Sequence, residues 1–272
     1  MEIKEINSWN EFITQVESLN GERDLNANLS TMAVSELLYR GQSNSKFELK
    51  TTLERAVPHN ISLIQYFNFV SVIKAKIESV TGKIWEFPSR EDFDNWLDAQ
   101  QFPPTTLLGY SFLAYLRHHG LPSPLLDWTR SPYIAAHFAM SALPREGVEN
   151  VAVFVYLDSE TGMKHSGVDA PSIQKLGPYV TTHRRHYLQQ SKYTICTEGK
   201  GRSAKYVSHE DVLARSDNGQ DLLWKLVIPI SERRTFIENL QRMNITPFSL
   251  FESEEALMED IHLSEIFLRE RL

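Results

Sequence analysis

The segment 117–142, RHHGLPSPLLDWTRSPYIAAHFAMSA, most constrains the fold because it joins a polar corner directly to an apolar helix. Ser131 and Pro132 mark the start of that helix. Serine is a favoured N-cap, and proline has the right φ for the first helical position, where a missing N–H costs nothing. The alanine-rich stretch that follows is small enough for close packing. We therefore expect a buried helix whose N-terminus lies beside a polar corner.

Three residues of that corner, Asp127, Trp128 and Thr129, come just before the helix N-terminus. Backbone N–H groups and the positive end of the helix dipole favour an anionic ligand at such a place. A carboxylate, an indole and a hydroxyl there are typical of a binding site. The alternative is that Asp127 and Thr129 only cap the turn while Trp128 fills the core. The sequence leaves both interpretations open.

Length and charge limit the classes of function. With 272 residues, 42 % of them hydrophobic, the chain can bury one large core or two small ones. A formal net charge of −7 opposes a broad nucleic-acid footprint, although a local basic groove would still allow nucleic acid as a partner. No run approaches the roughly 20 apolar residues of a membrane span, so no membrane partner is expected.

The single cysteine, Cys196, cannot form an internal disulfide, and the first residues do not resemble a secretory signal. A reducing cytoplasm is the expected setting. Cys196 itself lies in a strand-like run and is expected to be a buried structural thiol.

Hydrophobic periodicity predicts a mixture of helices and strands. The predicted helices cover residues 8–19, 61–80 (ending near Gly82), a segment opened by Ser89, 106–118 (ending at Gly120), 231–241 and a C-terminal stretch. The predicted strands cover 37–40, 47–49, 150–157, 192–197 and 222–229. Between them, 20–31 is predicted as a loop, 41–45 as a turn and Pro103-Pro104 as a breaker. The continuous apolar character of 150–157 indicates a strand covered on both faces.

Arg40 is a second candidate binding residue, at the end of a predicted strand and next to Gly41. A guanidinium suits bidentate recognition of phosphate or carboxylate, and glycine lets a ligand approach the backbone closely. An ion pair with Glu48 or Glu54 is the alternative.

Metal chemistry is not expected. Adjacent His118 and His119 in a regular helix diverge by about 100°. His137 and Asp127 do not complete a metal-ligand spacing with them. The sequence also has no P-loop, Rossmann fingerprint, GxSxG, HExxH or CxxC motif.

Several motifs together resemble the FRG-domain family, in that family's order and over nearly the whole chain: YRGQ at 39–42, TLER at 52–55, HHGLPSPLLDWTRSPYIAAHFA at 118–139, RHYLQQSKY at 185–193 and the ending at 229–251. The resemblance implies one FRG-type domain over 1–272, with an N-terminal helix and loop (1–35), a core with the site (36–200) and a C-terminal strand and helices (201–272). The chain departs from the family at Ser123 and Pro124, where threonine and arginine are usual. It also has Arg117 in place of a common glutamine and Ser191 in place of glycine.

By its motif layout the FRG family is similar to ADP-ribosyltransferases. This likeness implies an α+β fold in a single compact domain, with a small mixed β-sheet flanked by helices, and NAD as a substrate. Arg40, with Gly41, Gln42 and His118, would bind the dinucleotide. Thr129 would support the nicotinamide ribose next to Trp128 or Tyr133.

The third element of such a site would fall near Gln189, Gln190 or Glu198. A carboxylate would best stabilise the developing oxocarbenium ion, and Asp127 or Glu198 could supply it, whereas Gln190 lacks the charge. The catalytic acid is therefore left unassigned.

The resemblance favours an NAD-dependent ADP-ribosyltransferase-like enzyme, with a bacterial toxin or a phage-defence effector as the settings considered and with no macromolecular acceptor identified. The alternative is a catalytically silent module that binds a nucleotide or a protein through the same pocket. A metal-dependent hydrolase based on His118, His137 and Asp127 is the third reading.

Overall fold

A mixed β-sheet is the centre of the structure, a computed structural model that describes residues 1–29, 35–57, 59–99, 107–143, 145–162, 164, 170–176, 184–214 and 219–269. Its eight described strands are β1 (Glu2–Glu5), β2 (Leu37–Gln42), β3 (Leu126–Thr129), β4 (Asn150–Ser159), β5 (Ser172–Lys175), β6 (Ser191–Glu198), β7 (Lys205–Tyr206) and β8 (Gln220–Pro229). They run in the order β1-β8-β4-β2-β3-β6-β5, with β7 also paired to β6. The β1–β8 pair is parallel and the others are antiparallel.

The helices flank this sheet. Those in the described residues are α1 (Trp9–Leu29), α2 (Thr52–Ala56), α3 (Leu63–Thr81), α4 (Arg90–Ala99), α5 (Tyr110–His118), α6 (Pro132–Met140), α7 (Arg184–Leu188), α8 (His209–Leu213), α9 (Arg233–Arg242), α10 (Pro247–Phe251) and α11 (Glu254–Ile261). Helix α6 begins as predicted, since the Ser131 hydroxyl accepts a hydrogen bond from the Ile134 N–H and Pro132 occupies the first turn. Gly82 and Gly120 have positive φ at the two predicted helix ends.

The core has a layer on each face of the central strands. β4 pairs with β2 on one side and β8 on the other, and its residues 151–157 are all buried. Phe12, Ala135 and Phe236 belong to the cluster on one face, whereas Trp128 and Tyr156 belong to the cluster on the other. The prediction of a strand covered on both faces is confirmed.

Three local predictions are wrong. The expected loop at 20–31 is helical as far as Leu29. The polar residue Asn20 is hydrogen-bonded while it remains helical. Its side-chain amide donates to the Val16 carbonyl (2.9 Å) in the same helix and to the Tyr39 hydroxyl (3.3 Å) on β2. Residues 30–31 lie outside the described residues, as does the Pro103-Pro104 breaker.

The expected strand at 47–49 is not a strand, because its backbone is bound by side chains instead. The Leu49 N–H donates to the Glu210 carboxylate (2.8 Å), and the Gln42 amide donates to the Glu48 carbonyl (3.2 Å). Conversely, the corner at 126–129 is the short strand β3, since β6 pairs with it along four residues.

The predicted fold class is confirmed: the chain is an α+β protein with a mixed sheet in one compact domain. The described helices include none with the length and apolar character of a membrane span.

Candidate functional site

A pocket opens where strands β2 and β3 separate. β2 pairs with β4 over six residues, but within the described strands its register with β3 consists of one pair, Tyr39–Thr129. Beyond that pair the antiparallel directions would set 40–42 against 126–128, yet the strands diverge. The resulting pocket has a volume of about 900 Å³. This lies near the upper end of the usual range of about 300–1,000 Å³ for small-molecule sites.

The pocket is electropositive although the chain is acidic. Its described lining includes five cationic side chains and two carboxylates, Glu48 and Asp127; the cations are Arg40, Lys46, Lys50, Arg55 and Arg117. Glu48 is paired with Lys50. An excess of positive charge in a cleft with low-dielectric walls attracts anions, and arginine is the side chain best suited to phosphate.

Two of the arginines that line the pocket, Arg40 and Arg117, form ion pairs with the same carboxylate, that of Asp127. Arg40 Nη1 donates to the Asp127 main-chain oxygen (2.8 Å) and lies 3.6 Å from its Oδ2. Arg117 Nη2 forms a short ion pair with the same Oδ2. Burial lowers the pKa of Arg40; Asp127 opposes this shift, whereas the charges of Arg117 and Arg55 add to it. One carboxylate therefore serves two guanidiniums.

Buried polar atoms beside this group have no partner within the described part of the chain. They are Arg40 Nε, Arg117 Nε and Gln42 Oε1. Gln42 is only 7 % exposed, and its amide nitrogen donates to the Glu48 carbonyl. Because buried polar groups are normally hydrogen-bonded, these three atoms are exceptions to the usual pattern.

Gly41 also has a packing role that the sequence did not indicate. A Cβ built on Gly41 would lie 1.9 Å from the Ala135 carbonyl oxygen and 2.6 Å from the Ala139 nitrogen. The backbone of helix α6 therefore approaches this glycine closely, and Gly41 also lines the pocket. The close approach packs α6 against β2 at Ala135 and Ala139.

Trp128 and Thr129 line the pocket, but each also has the structural role given in the alternative interpretation: Trp128 packs in the core and Thr129 caps the turn. The Trp128 indole N–H donates to the Thr194 hydroxyl (2.9 Å), and its ring stacks on Tyr156. The Thr129 hydroxyl accepts from the Ser131 N–H (3.1 Å) and so fixes the turn into α6. The same two residues therefore line the pocket and stabilise the core and the turn.

His118 also lines the pocket, and its Nε2 lies 2.7 Å from the Tyr193 hydroxyl. Burial, reinforced by the charge of Asp127, raises the pKa of Tyr193, so this phenol stays protonated. It is a hydrogen-bonding partner that holds the imidazole at the wall.

Three predicted site residues do not line the pocket. Tyr133 packs its ring against Trp9 in the core (centroids 6.1 Å apart). Gln190 is exposed at a positive-φ turn, and its neighbour Gln189 enters the pocket instead. Glu198 lies at the far end of β6, paired with Lys205 (2.8 Å).

The hypothesis of a metal-dependent hydrolase required His118, His137 and Asp127 to share one site, and the structure does not bring all three into the pocket lining. His137 lies on α6 outside the pocket lining, and burial lowers its pKa to about 4. Within the described residues no group of three or more histidine, cysteine or acidic side chains could hold a metal ion.

Sequence reasoning missed Arg117 as a site residue, although it had noted arginine there as a departure from the family pattern. It also missed the aromatic wall in which Phe138 of α6 meets Phe251 of α10 edge to face, 6.1 Å between centroids. Helical periodicity placed Arg117 on a helix but could not indicate which residue it would face.

Comparison with known proteins identifies one family over part of the chain. The model of the FRG domain family matches residues 35–146, which span β2 to α6 and carry Arg40, Arg117 and Asp127. No curated protein and no solved structure matches the chain. The chain therefore carries an FRG domain over residues 35–146.

Proposed function

We propose that the protein binds NAD in the pocket between β2 and β3 and transfers its ADP-ribose group to an acceptor. One observation carries the proposal: Arg40 and the segment Asp127–Thr129, which are distant in sequence, line one pocket of about 900 Å³. That volume suits a dinucleotide, and the excess of cations suits its diphosphate.

The reaction requires one bond exchange. The bond from the ribose C1′ to the nicotinamide nitrogen breaks and its electron pair leaves with nicotinamide, while an acceptor nucleophile bonds to C1′ and releases a proton. A carboxylate near C1′ stabilises the cationic transition state. Asp127 is the candidate, because it lines the pocket and is 31 % exposed at its side chain, whereas Glu198 lies elsewhere.

The proposal includes any acceptor nucleophile that reaches C1′, and its two settings are a bacterial toxin and a phage-defence effector. Exposed Lys46 and Phe47 at the pocket edge are compatible with a nucleotide or nucleic-acid acceptor. A cytoplasmic setting is proposed because the single cysteine is buried and reduced in form.

Incubation with NAD labelled in its ADP-ribose part tests the proposal, with released nicotinamide and labelled products measured together. The wild-type protein should release nicotinamide, and Arg40→Gln should lose about 10- to 100-fold in rate, as expected for a charged hydrogen bond to phosphate. Arg202→Gln, which removes an exposed arginine paired with Asp98, is the matched control and should keep the wild-type rate. Equal rates for Arg40→Gln and wild type would refute the role of Arg40.

A catalytically silent nucleotide-binding module is the second candidate. It is favoured by the pairing of both lining carboxylates, Asp127 with two arginines and Glu48 with Lys50. In that case NAD and ADP-ribose should both raise the melting temperature while no nicotinamide is released. Steady nicotinamide release by the wild-type protein would exclude this module.

A further inference from the structure

The ion pair between Arg117 and Asp127 is the starting point of a further inference. Asp127 Oδ2 accepts from Arg117 and lies 3.6 Å from Arg40 Nη1, so a single carboxylate holds two guanidiniums. The side chains of Arg40 and Arg117 are 15 % and 19 % exposed, and the Nε of each is buried without a partner among the described residues. The group is therefore positive overall and has unfilled donors.

We propose that Asp127 is an internal competitor for the phosphate site, and that Arg117 is a second phosphate-binding residue beside Arg40. An incoming diphosphate takes the two guanidiniums, and the carboxylate of Asp127 is released into the pocket. The later part of this inference, in which the released carboxylate faces the ribose, rests on the proposed function. The exchange of partners itself does not.

Charge and geometry favour the exchange. Two guanidiniums and one carboxylate leave an excess positive charge, which a diphosphate neutralises more fully than a carboxylate does. The planar fork of arginine also binds phosphate oxygens through two parallel hydrogen bonds. Asp127 can separate from the two arginines at a modest cost in free energy. Its side chain is 31 % exposed, so water replaces part of the interaction that the carboxylate loses.

The exchange would couple binding to chemistry. While Asp127 holds both arginines, its negative charge is compensated and stabilises a cationic ribose poorly. Once phosphate oxygens have taken the guanidiniums, the carboxylate is available at the moment when the dinucleotide is in place. Arg117 thereby acts on binding directly and on catalysis through Asp127.

Binding of inorganic pyrophosphate to the full-length protein, measured by isothermal titration calorimetry at low salt, tests the exchange without any turnover. Asp127→Asn removes the competitor and should tighten binding about 3- to 10-fold, because the binding-competent fraction rises. Glu48→Gln makes the same change of charge at a pocket carboxylate that is paired with Lys50, and should tighten binding by less than about 2-fold. If the two variants bound pyrophosphate with equally increased affinity, loss of any negative charge in the pocket would explain the effect, and the inference would be overturned.

Arg117→Gln keeps the proposal testable even if Asp127→Asn fails to fold. It should weaken pyrophosphate binding about tenfold, the loss expected for a charged hydrogen bond. Arg55→Gln is its matched control: Arg55 lines the same pocket but donates to the Lys50 carbonyl, so a change of less than about 3-fold is expected. Wild-type binding by Arg117→Gln would overturn the inference.

The two proposals fail in different ways. If the variants behave as stated while the wild type releases no nicotinamide from NAD, the phosphate exchange stands and the transferase does not. If nicotinamide is released while neither Arg117→Gln nor Asp127→Asn changes pyrophosphate binding, the transferase stands and the exchange does not.

Discussion

Replacement of Gly41 by alanine should destabilise the protein strongly, because the new methyl group has no space. Its Cβ would lie 1.9 Å from the Ala135 carbonyl oxygen and 2.6 Å from the Ala139 nitrogen, both backbone atoms of α6. An ordinary contact begins near 3.4 Å, so α6 would have to retreat from β2 by about 1.5 Å. Alanines 135, 136 and 139 are fully or almost fully buried, so this retreat would open gaps in the core.

We expect a loss of about 3 kcal/mol in the free energy of unfolding, the upper part of the usual range for overpacked cores. For a chain of this size that corresponds to a fall of about 6–12 °C in melting temperature. Urea denaturation followed by circular dichroism measures the loss from the shift in midpoint at a common m-value.

Gly21→Ala is the matched control. Gly21 lies inside α1, and a Cβ there meets nothing within 4 Å. Because alanine has the higher helix propensity, this variant should gain about 0.5–1 kcal/mol. If Gly41→Ala proved as stable as the wild type, the close contact between α6 and β2 would be refuted.

Three further predictions concern the buried groups. Burial lowers the pKa of His137 to about 4 and of His209 to about 3, so the unfolded chain binds more protons than the folded one below pH ~6.5. The free energy of unfolding should therefore fall by about 2 kcal/mol per histidine between pH 8 and pH 5. His209→Gln should remove about half of this pH dependence, as measured by urea denaturation at a series of pH values. An unchanged pH dependence would contradict the prediction. Lys164→Met should lower the free energy of unfolding by about 3–5 kcal/mol, because it leaves Asp221 as an uncompensated buried charge. In the wild type Asp221 is paired with Lys164 at 2.5 Å, and its side chain is 3 % exposed. A loss below about 1 kcal/mol in urea denaturation would refute this. Burial raises the pKa of Cys196, so a thiol reagent should modify it only after denaturation, and rapid labelling of the folded protein would argue against its burial.

Local signals in the sequence proved reliable where they act within one element. Ser131 and Pro132 predicted the start of α6, and Gly82 and Gly120 predicted two helix ends. Capping and left-handed glycine geometry depend on a few neighbouring residues, so they can be read without the rest of the fold.

Predictions that needed a partner from elsewhere in the chain were less reliable. The segment 47–49 alternates like a strand but is bound by Glu210 and Gln42 instead. The polar second half of α1 looks like a loop, yet Asn20 finds the Tyr39 hydroxyl across the core. In each case one hydrogen-bond partner lies far away in the sequence: Glu210 for the Leu49 N–H and Tyr39 for the Asn20 amide.

The candidate site divides in the same way. The sequence by itself determined that Arg40 lies in a strand and that Asp127 precedes the N-terminus of α6, since both follow from short-range backbone preferences; it ended that strand at Arg40, whereas β2 continues to Gln42 because β4 pairs with it that far. Only the tertiary structure decided that Arg40 and Arg117 share the Asp127 carboxylate in one pocket, while Tyr133, Gln190 and Glu198 lie outside it. The physical reason is that β2 and β3 separate after the single pair Tyr39–Thr129, and pairing between strands so distant in sequence is set by the whole sheet. Arg40 and Asp127, which meet there, are 87 positions apart.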